Sequence, residues 1–204
     1  MNDVMTSQFP AGPPQGELAP SGGSDPRQRW SVGAFIFDMD GTMIDSMPSH
    51  KHSWVEFARR KGLVVDIDDL MRRTTGRTGL ECMRLLFDQS DMDEAQAMAH
   101  VHEKETVYRE LFQPIFTEVA GFKSFYELAR GRGLKLGVGT AGDRHNQAFA
   151  YSHLKMPVPP LTTVGGDEGL AGKPDPAIFL EAARRMGVAP AHCRRCAIWA
   201  ALAS

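Results

Sequence analysis

Two carboxylates stand one residue apart at the end of an apolar run, FIFDMDGTMID over residues 35–45. Side chains alternate along an extended chain, so Asp38 and Asp40 point the same way and Met39 points elsewhere. Gly41 permits a sharp exit from the strand, and Thr42 can hydrogen-bond in the turn. Like charges this close repel, so a cation or a proton is needed between them. The end of a buried strand is also where open α/β sheets bind their ligands. The alternative is a solvated strand-end turn. A DxDGTxxD pattern behind an apolar strand is far more specific than a lone DxD.

The elements needed to position these residues are legible. VGAFIFD (32–38) suits a strand buried on both faces of a parallel sheet. A helix is expected near 49–61, stopped by Gly62. Further helices are expected near 66–73, 78–88 and 92–112, with no convincing strand between them. After Gly121 the rhythm changes to helix, strand (LKLGVG), helix, short strand (LTTVG), loop (GDEGLAGKPDP) and helix (AIFLEAARRMG). Such alternation with short connections predicts a parallel α/β sheet with helices on both faces.

Composition excludes several function classes. The 204 residues carry 23 Lys and Arg against 25 Asp and Glu, a formal charge of −2. That balance argues against a nucleic-acid binder held by bulk positive charge. No apolar run approaches about 18 residues, so no membrane span is expected. Three cysteines are too few for a disulfide framework, which points to a reducing compartment and a cytoplasmic protein. Nothing in the sequence sets an oligomeric state. Residues 1–30 are rich in Pro, Gly and Ser, and are expected to be a disordered leader. The pair Cys193 and Cys196 forms a single CxxC with two arginines inside it, which reads as coincidence rather than a zinc or redox motif.

FDMDGTMID resembles the first motif of the haloacid dehalogenase (HAD) superfamily of phosphohydrolases, and the resemblance extends over roughly residues 32–192. It is closest to the β-phosphoglucomutase-like branch. The resemblance implies a Rossmann-like parallel sheet core, residues 31–48 and 116–204, with an α-helical cap domain inserted at 49–115. It implies a Mg²⁺-dependent phosphatase acting on a small phosphorylated metabolite such as a sugar phosphate, with β-phosphoglucomutase-like phosphoryl transfer as the alternative. Asp38 would attack phosphorus and become an aspartyl phosphate. Asp40 would protonate the leaving oxygen and then activate water. A carboxylate nucleophile splits one hard displacement into two easier ones, and a second carboxyl can serve first as acid and then as base. Mg²⁺ would be held by the Asp38 carboxylate and the Asp40 carbonyl.

The second motif of that family is an apolar strand ending in Ser or Thr. Here it is LKLGVGT, with Thr140 followed by Ala141 and Gly142. A hydroxyl with backbone N–H groups at a helix start can cradle phosphate oxygens. The third is a Lys before a Pro-started helix, matched by Lys173 in GKPDP. Its ammonium would offset charge on the phosphoryl group and on Asp38. In the cap, Arg77 behind the Gly76 turn suits bidentate binding of an anionic group or is a plain exposed Arg. His50 and Trp54 match a His and a Trp of the mutase branch, and helix-start and core-packing roles stand beside that reading. The position where β-phosphoglucomutase carries an Arg is Gly79 here, which weakens a mutase reading. Asp40 argues against a true haloacid dehalogenase. The segment TTGRTGLE offers no Schiff-base Lys, which argues against phosphonoacetaldehyde hydrolase.

The fourth motif departs from the family. After GVAPAHC the family has an apolar strand followed by two acids that help hold Mg²⁺. This chain continues RRCAIWAALAS and has no Asp or Glu after Glu181. The change of pattern at residue 194 reads as a frameshift or a truncation, with CAIWAALA as a candidate strand in the vacant place. Asp167 and Glu168 are the nearest substitutes. Mg²⁺ prefers hard oxygen ligands in octahedral geometry, so weaker metal binding and little phosphatase activity are expected. A catalytically impaired domain is the reading of a different class.

Overall fold

A computed structural model describes residues 32–196. The expected leader at 1–30 and the apolar stretch 197–204 lie outside the described residues. Strands β1 (Ala34–Phe37), β2 (Lys135–Gly139), β3 (Thr162–Val164) and β4 (Cys193–Cys196) form one sheet in the order β3-β2-β1-β4. All of its pairings are parallel, with Phe37 opposite Val138 and Cys196. The expected Rossmann-like α/β core is therefore present. β4 begins at Cys193, earlier than the CAIWAALA stretch expected to fill that place.

Alternation along β1 sorts the core into two layers. Phe37, with Phe35 beside it, packs on one face with Leu136, Val138, α5 (Phe122–Gly131) and α6 (Arg144–Leu154). Ala34 and Ile36 pack on the other with Val164 and α7 (Ala177–Arg185). The same alternation separates the CxxC sulfurs. Cys193 lies against the α7 layer and Cys196 against the opposite one, and both thiols are free.

Between β1 and β2 come α1 (Met47–Lys61), α2 (Ile67–Thr74), α3 (Gly79–Leu86) and α4 (Glu94–Phe112). They carry their own apolar cluster, built on Trp54, Phe57, Leu70, Met83 and Val101. Local chemistry sets their ends. Gly62, at φ 66°, closes α1 in the left-handed region. Asp66 and Asp93 cap α2 and α4 through side-chain oxygens. Thr78 and Glu81 form a reciprocal capping box at the start of α3. α3 stops at Leu86, short of the expected 88, because Asp88 turns to φ 53°. Among the described residues, no helix is long and apolar enough to cross a membrane.

Candidate active site

Asp38 and Asp40 follow the end of β1 and line the same cavity of about 470 Å³. Met39 between them is fully buried in the sheet core, as alternation requires. The turn behind them is tight: the N–H groups of Thr42, Met43 and Ile44 all donate to the Met39 carbonyl, and Gly41 sits at φ 71°.

Asp38 is buried at 3% exposure. Its Oδ1 accepts from the Met39 N–H at 2.9 Å and lies 2.6 Å from the Lys173 ammonium. Burial pushes its carboxyl above the ordinary value of 3.8, although Lys173 pulls the other way. Asp40 behaves oppositely. Burial alone would raise it, but the His50 ring, the hydrogen bonds from His50 and from Ser46, and the Lys173 charge outweigh that and hold it at about 2. The Ser46 hydroxyl donates to Asp40 Oδ1 at 2.6 Å, and His50 Nε2 lies 3.2 Å from the same oxygen. Two neighbouring carboxyls thus have proton affinities driven apart by their surroundings, a pattern typical of catalytic pairs.

His50 lies in the first turn of α1, stacked on Tyr108 of α4 with ring centroids 3.8 Å apart and planes at 5°. Lys104 Nζ lies 3.0 Å from its Nδ1. Lys104 is almost wholly buried, 4.8 Å from the Trp54 ring centroid, and also bonds Glu105 at 2.8 Å. Glu105 Oε2 accepts from Asn146 Nδ2 at 2.7 Å, and Asn146 Oδ1 accepts from Arg109 at 2.8 Å. A buried polar chain therefore runs from Asp40 through α1 and α4 to α6. Sequence reading missed Ser46, Lys104, Glu105, Arg109 and Asn146. Lys104 carried a signal: it falls on the apolar stripe Ala97, Val101, Tyr108, Phe112 of α4, where an unpaired lysine would be costly.

The other expected residues divide. Lys173 sits as anticipated, and its backbone N–H donates to the Gly76 carbonyl at 3.0 Å. That bond stitches the GKPDP loop to the α2–α3 turn. Space is tight there: a Cβ on Gly172 would lie 2.5 Å from Glu81 Oε2 and 3.2 Å from the Thr78 N. Ala141 and Gly142 line the cavity. Thr140 is fully buried and does not line it, and its hydroxyl accepts from the Gly142 N–H at 3.0 Å. Thr140 thus shapes the loop, and the Gly142 N–H expected to face phosphate is already paired. Arg77 lines the cavity, but its Nε donates to the Arg73 carbonyl at 2.8 Å and its guanidinium lies 3.9 Å from Glu81. Trp54 belongs to the helical core, with its face to Lys104.

The sequence model of the haloacid dehalogenase-like hydrolases matches residues 32–193. The chain belongs to that family. Hexitol phosphatase A of Escherichia coli is 25% identical over 160 residues, covering 78% of this chain and 71% of that protein. The fructose-1-phosphate phosphatase of the same organism is 29% identical, covering 78% and 82%. β-Phosphoglucomutase of Bacillus subtilis is 27% identical, covering 78% and 72%. A Pseudomonas syringae hydrolase of known structure aligns with a TM-score of 0.70 at 25% identity, covering 80% of this chain and 74% of the other. A Clostridium difficile β-phosphoglucomutase, at 23% identity and TM-score 0.71, shares the fold over 80% of this chain and 75% of its own.

The sequence resemblance implies Mg²⁺, so the donor set bears on that ion. Asp38 and Asp40 meet at the cavity. Asp167 also lines it, but lies 2.8 Å from the Arg144 guanidinium. Glu168 is bonded to Arg185 and to the Gly165 N–H. Among the described residues no three His, Cys, Asp or Glu side chains cluster as a metal site. Mg²⁺ is often held by one or two carboxylates, with waters and phosphate oxygens completing its octahedron. The pair fits such an ion.

Proposed function

We propose that the protein is a phosphatase of small phosphorylated metabolites that works through an aspartyl-phosphate intermediate. The observation carrying this reading is the triad at the cavity: Asp38 bonded to Lys173 at 2.6 Å, with Asp40 two residues on. The resemblance of the chain to sugar-phosphate phosphatases supports it. Helices α1–α4 are read as the cap, and Asp38 with the Asp40 carbonyl as the Mg²⁺ ligands. When bound, Mg²⁺ supplies positive charge that offsets the meeting of two anions.

In this mechanism the Asp38 carboxylate attacks phosphorus and the ester oxygen leaves with a proton from Asp40. The Asp40 carboxylate then takes a proton from water, which attacks the phosphoryl group and frees Asp38. Asp40 rests ionised, and the dianionic ester raises its proton affinity on arrival. Lys173 lies against Asp38, where its ammonium offsets charge on the transferring group. Hydrolysis of p-nitrophenyl phosphate with Mg²⁺ tests the reading: turnover lost in Asp38→Asn supports it, and turnover retained there overturns it.

One observation favours the impaired reading for rate rather than for chemistry. Of the acids nearest Asp38 and Asp40, Asp167 is held by Arg144 and Glu168 by Arg185, so neither is free to serve a metal. The expectation is therefore slow turnover, limited by metal occupancy.

A further inference from the structure

The cavity is divided by polarity. Its sheet side carries Asp38, Asp40 and Lys173. Its opposite wall, from α2, α3 and α4, presents Met71, Leu80, Met83, Met98 and Val101. The hydroxyls on that wall already donate elsewhere. Thr74 donates to the Leu70 carbonyl and Thr75 to the Met71 carbonyl. Thr78 donates to Glu81 at 2.8 Å. A thioether offers only a weak acceptor and no donor.

The cations are committed as well. Arg77 is folded back onto Arg73 and Glu81. Lys104 is buried between His50 and Glu105, and Lys173 is paired with Asp38. A Cβ at Gly79 would lie 2.8 Å from Val101 Cγ1, so a side chain there would displace Val101. The carboxylate of Glu94 lines the same cavity and opposes a second anion.

We infer that the site selects phosphate monoesters with one anionic group and an apolar or aromatic alcohol, rather than polyol phosphates or bisphosphates. This rests on the phosphate-ester reading above. Those hydroxyls of a polyol that lie against Met71, Leu80 and Met98 find no hydrogen-bond partner there, which a well-packed wall penalises. An aryl or alkyl group fills the same space with favourable contacts, and flexible methionines adapt to its shape. A bisphosphate would carry its second charge toward Glu94, with Arg77, whose Nε is already bonded to the Arg73 carbonyl, as the cation of that wall.

Binding separates this inference from turnover. Non-hydrolysable phosphonates are titrated into the full chain with Mg²⁺ by calorimetry: benzylphosphonate, 3,4-dihydroxybutylphosphonate and butane-1,4-bisphosphonate. Benzylphosphonate is expected to bind at least tenfold tighter than either of the others. Equal or tighter binding of the dihydroxy or bisphosphonate ligand overturns the inference, as does failure of all three to bind. Met98→Gln is expected to lower benzylphosphonate affinity about tenfold and leave methylphosphonate unchanged; an equal loss for both would count against the wall's role. Leu80→Asn serves if Met98→Gln does not fold. If the ligand order holds while phenyl phosphate is not hydrolysed, the selectivity stands and the phosphatase reading falls.

Discussion

Lys104 places its ammonium 3.0 Å from Nδ1 of His50, inside a stack of aromatic rings. An ammonium can only donate, so Nδ1 accepts and the imidazole carries its proton on Nε2, facing Asp40 at 3.2 Å. A lysine on α4 therefore fixes which proton meets the carboxylate after β1. The arrangement is costly to break, because Lys104 also neutralises the buried Glu105. Lys104→Met is expected to lower stability by about 3 kcal/mol or more, as removal of one partner of a buried pair does. Urea unfolding checks the stability. Nitrogen NMR of His50 checks the tautomer, which should become mixed in the variant; an unchanged Nε2–H tautomer would remove Lys104 from this role.

The two carboxyls set opposite pH dependences. Asp38 is raised above 3.8 by burial, so its ionised form costs stability at neutral pH, and the cost is relieved as pH falls through its folded value. Asp40, at about 2, contributes stability that is complete above 3.8 and lost as pH falls toward 2. Activity needs Asp38 ionised, so the acid limb of kcat/KM should lie above the ordinary carboxylate value. Lys173 opposes the rise, so Lys173→Met should push that limb to still higher pH in whatever activity remains. A limb that stays in place when Lys173 loses its charge would dissociate it from Asp38 ionisation.

Gly79 is closed by packing rather than by backbone conformation. A methyl there would lie 2.8 and 2.9 Å from the two γ-carbons of Val101. Gly79→Ala should destabilise by roughly 1–3 kcal/mol, the usual cost of overfilling a core. Val101→Ala should restore part of that loss in the double variant, because it removes both crowded methyls. Thermal unfolding of the four proteins completes the cycle, and additive losses would show that the clash lies elsewhere.

How much of this was legible follows from the physics of each residue. β1 announced itself because burial on both faces demands an unbroken apolar run, Asp38 and Asp40 because two carboxylates one residue apart share a face at its end, and Lys173 through the resemblance of GKPDP to the family's third motif. The helix bounds were close because caps such as Asp66, Asp93 and the Thr78–Glu81 box are local. Thr140 was harder. Its hydroxyl turns into the loop instead of the cavity, a choice made by the Gly142 N–H that only the folded turn presents. The chain from His50 through Lys104 to Asn146 joins positions 54 and 41 residues apart, so nothing local reports it. Its one trace was a lysine on an apolar stripe.

Metal dependence gives the last prediction. On the proposed reading Mg²⁺ would take the Asp38 carboxylate and the Asp40 carbonyl, while Asp167, which also lines the cavity, is held by Arg144 at 2.8 Å. Occupancy should therefore depend on phosphate oxygens as much as on protein, so Mg²⁺ and phosphate should bind cooperatively. Calorimetry of Mg²⁺ alone is expected to show weak binding, and phosphate or a phosphonate should tighten it severalfold, with the reciprocal effect on the anion. Turnover should rise with Mg²⁺ through the high millimolar range and vanish with a chelator. Arg144→Ala releases Asp167 and is expected to strengthen Mg²⁺ binding if that carboxylate can swing toward Asp38. Tight binding of Mg²⁺ to the unmodified chain, with no response to phosphate, would mean that a third ligand already completes the site.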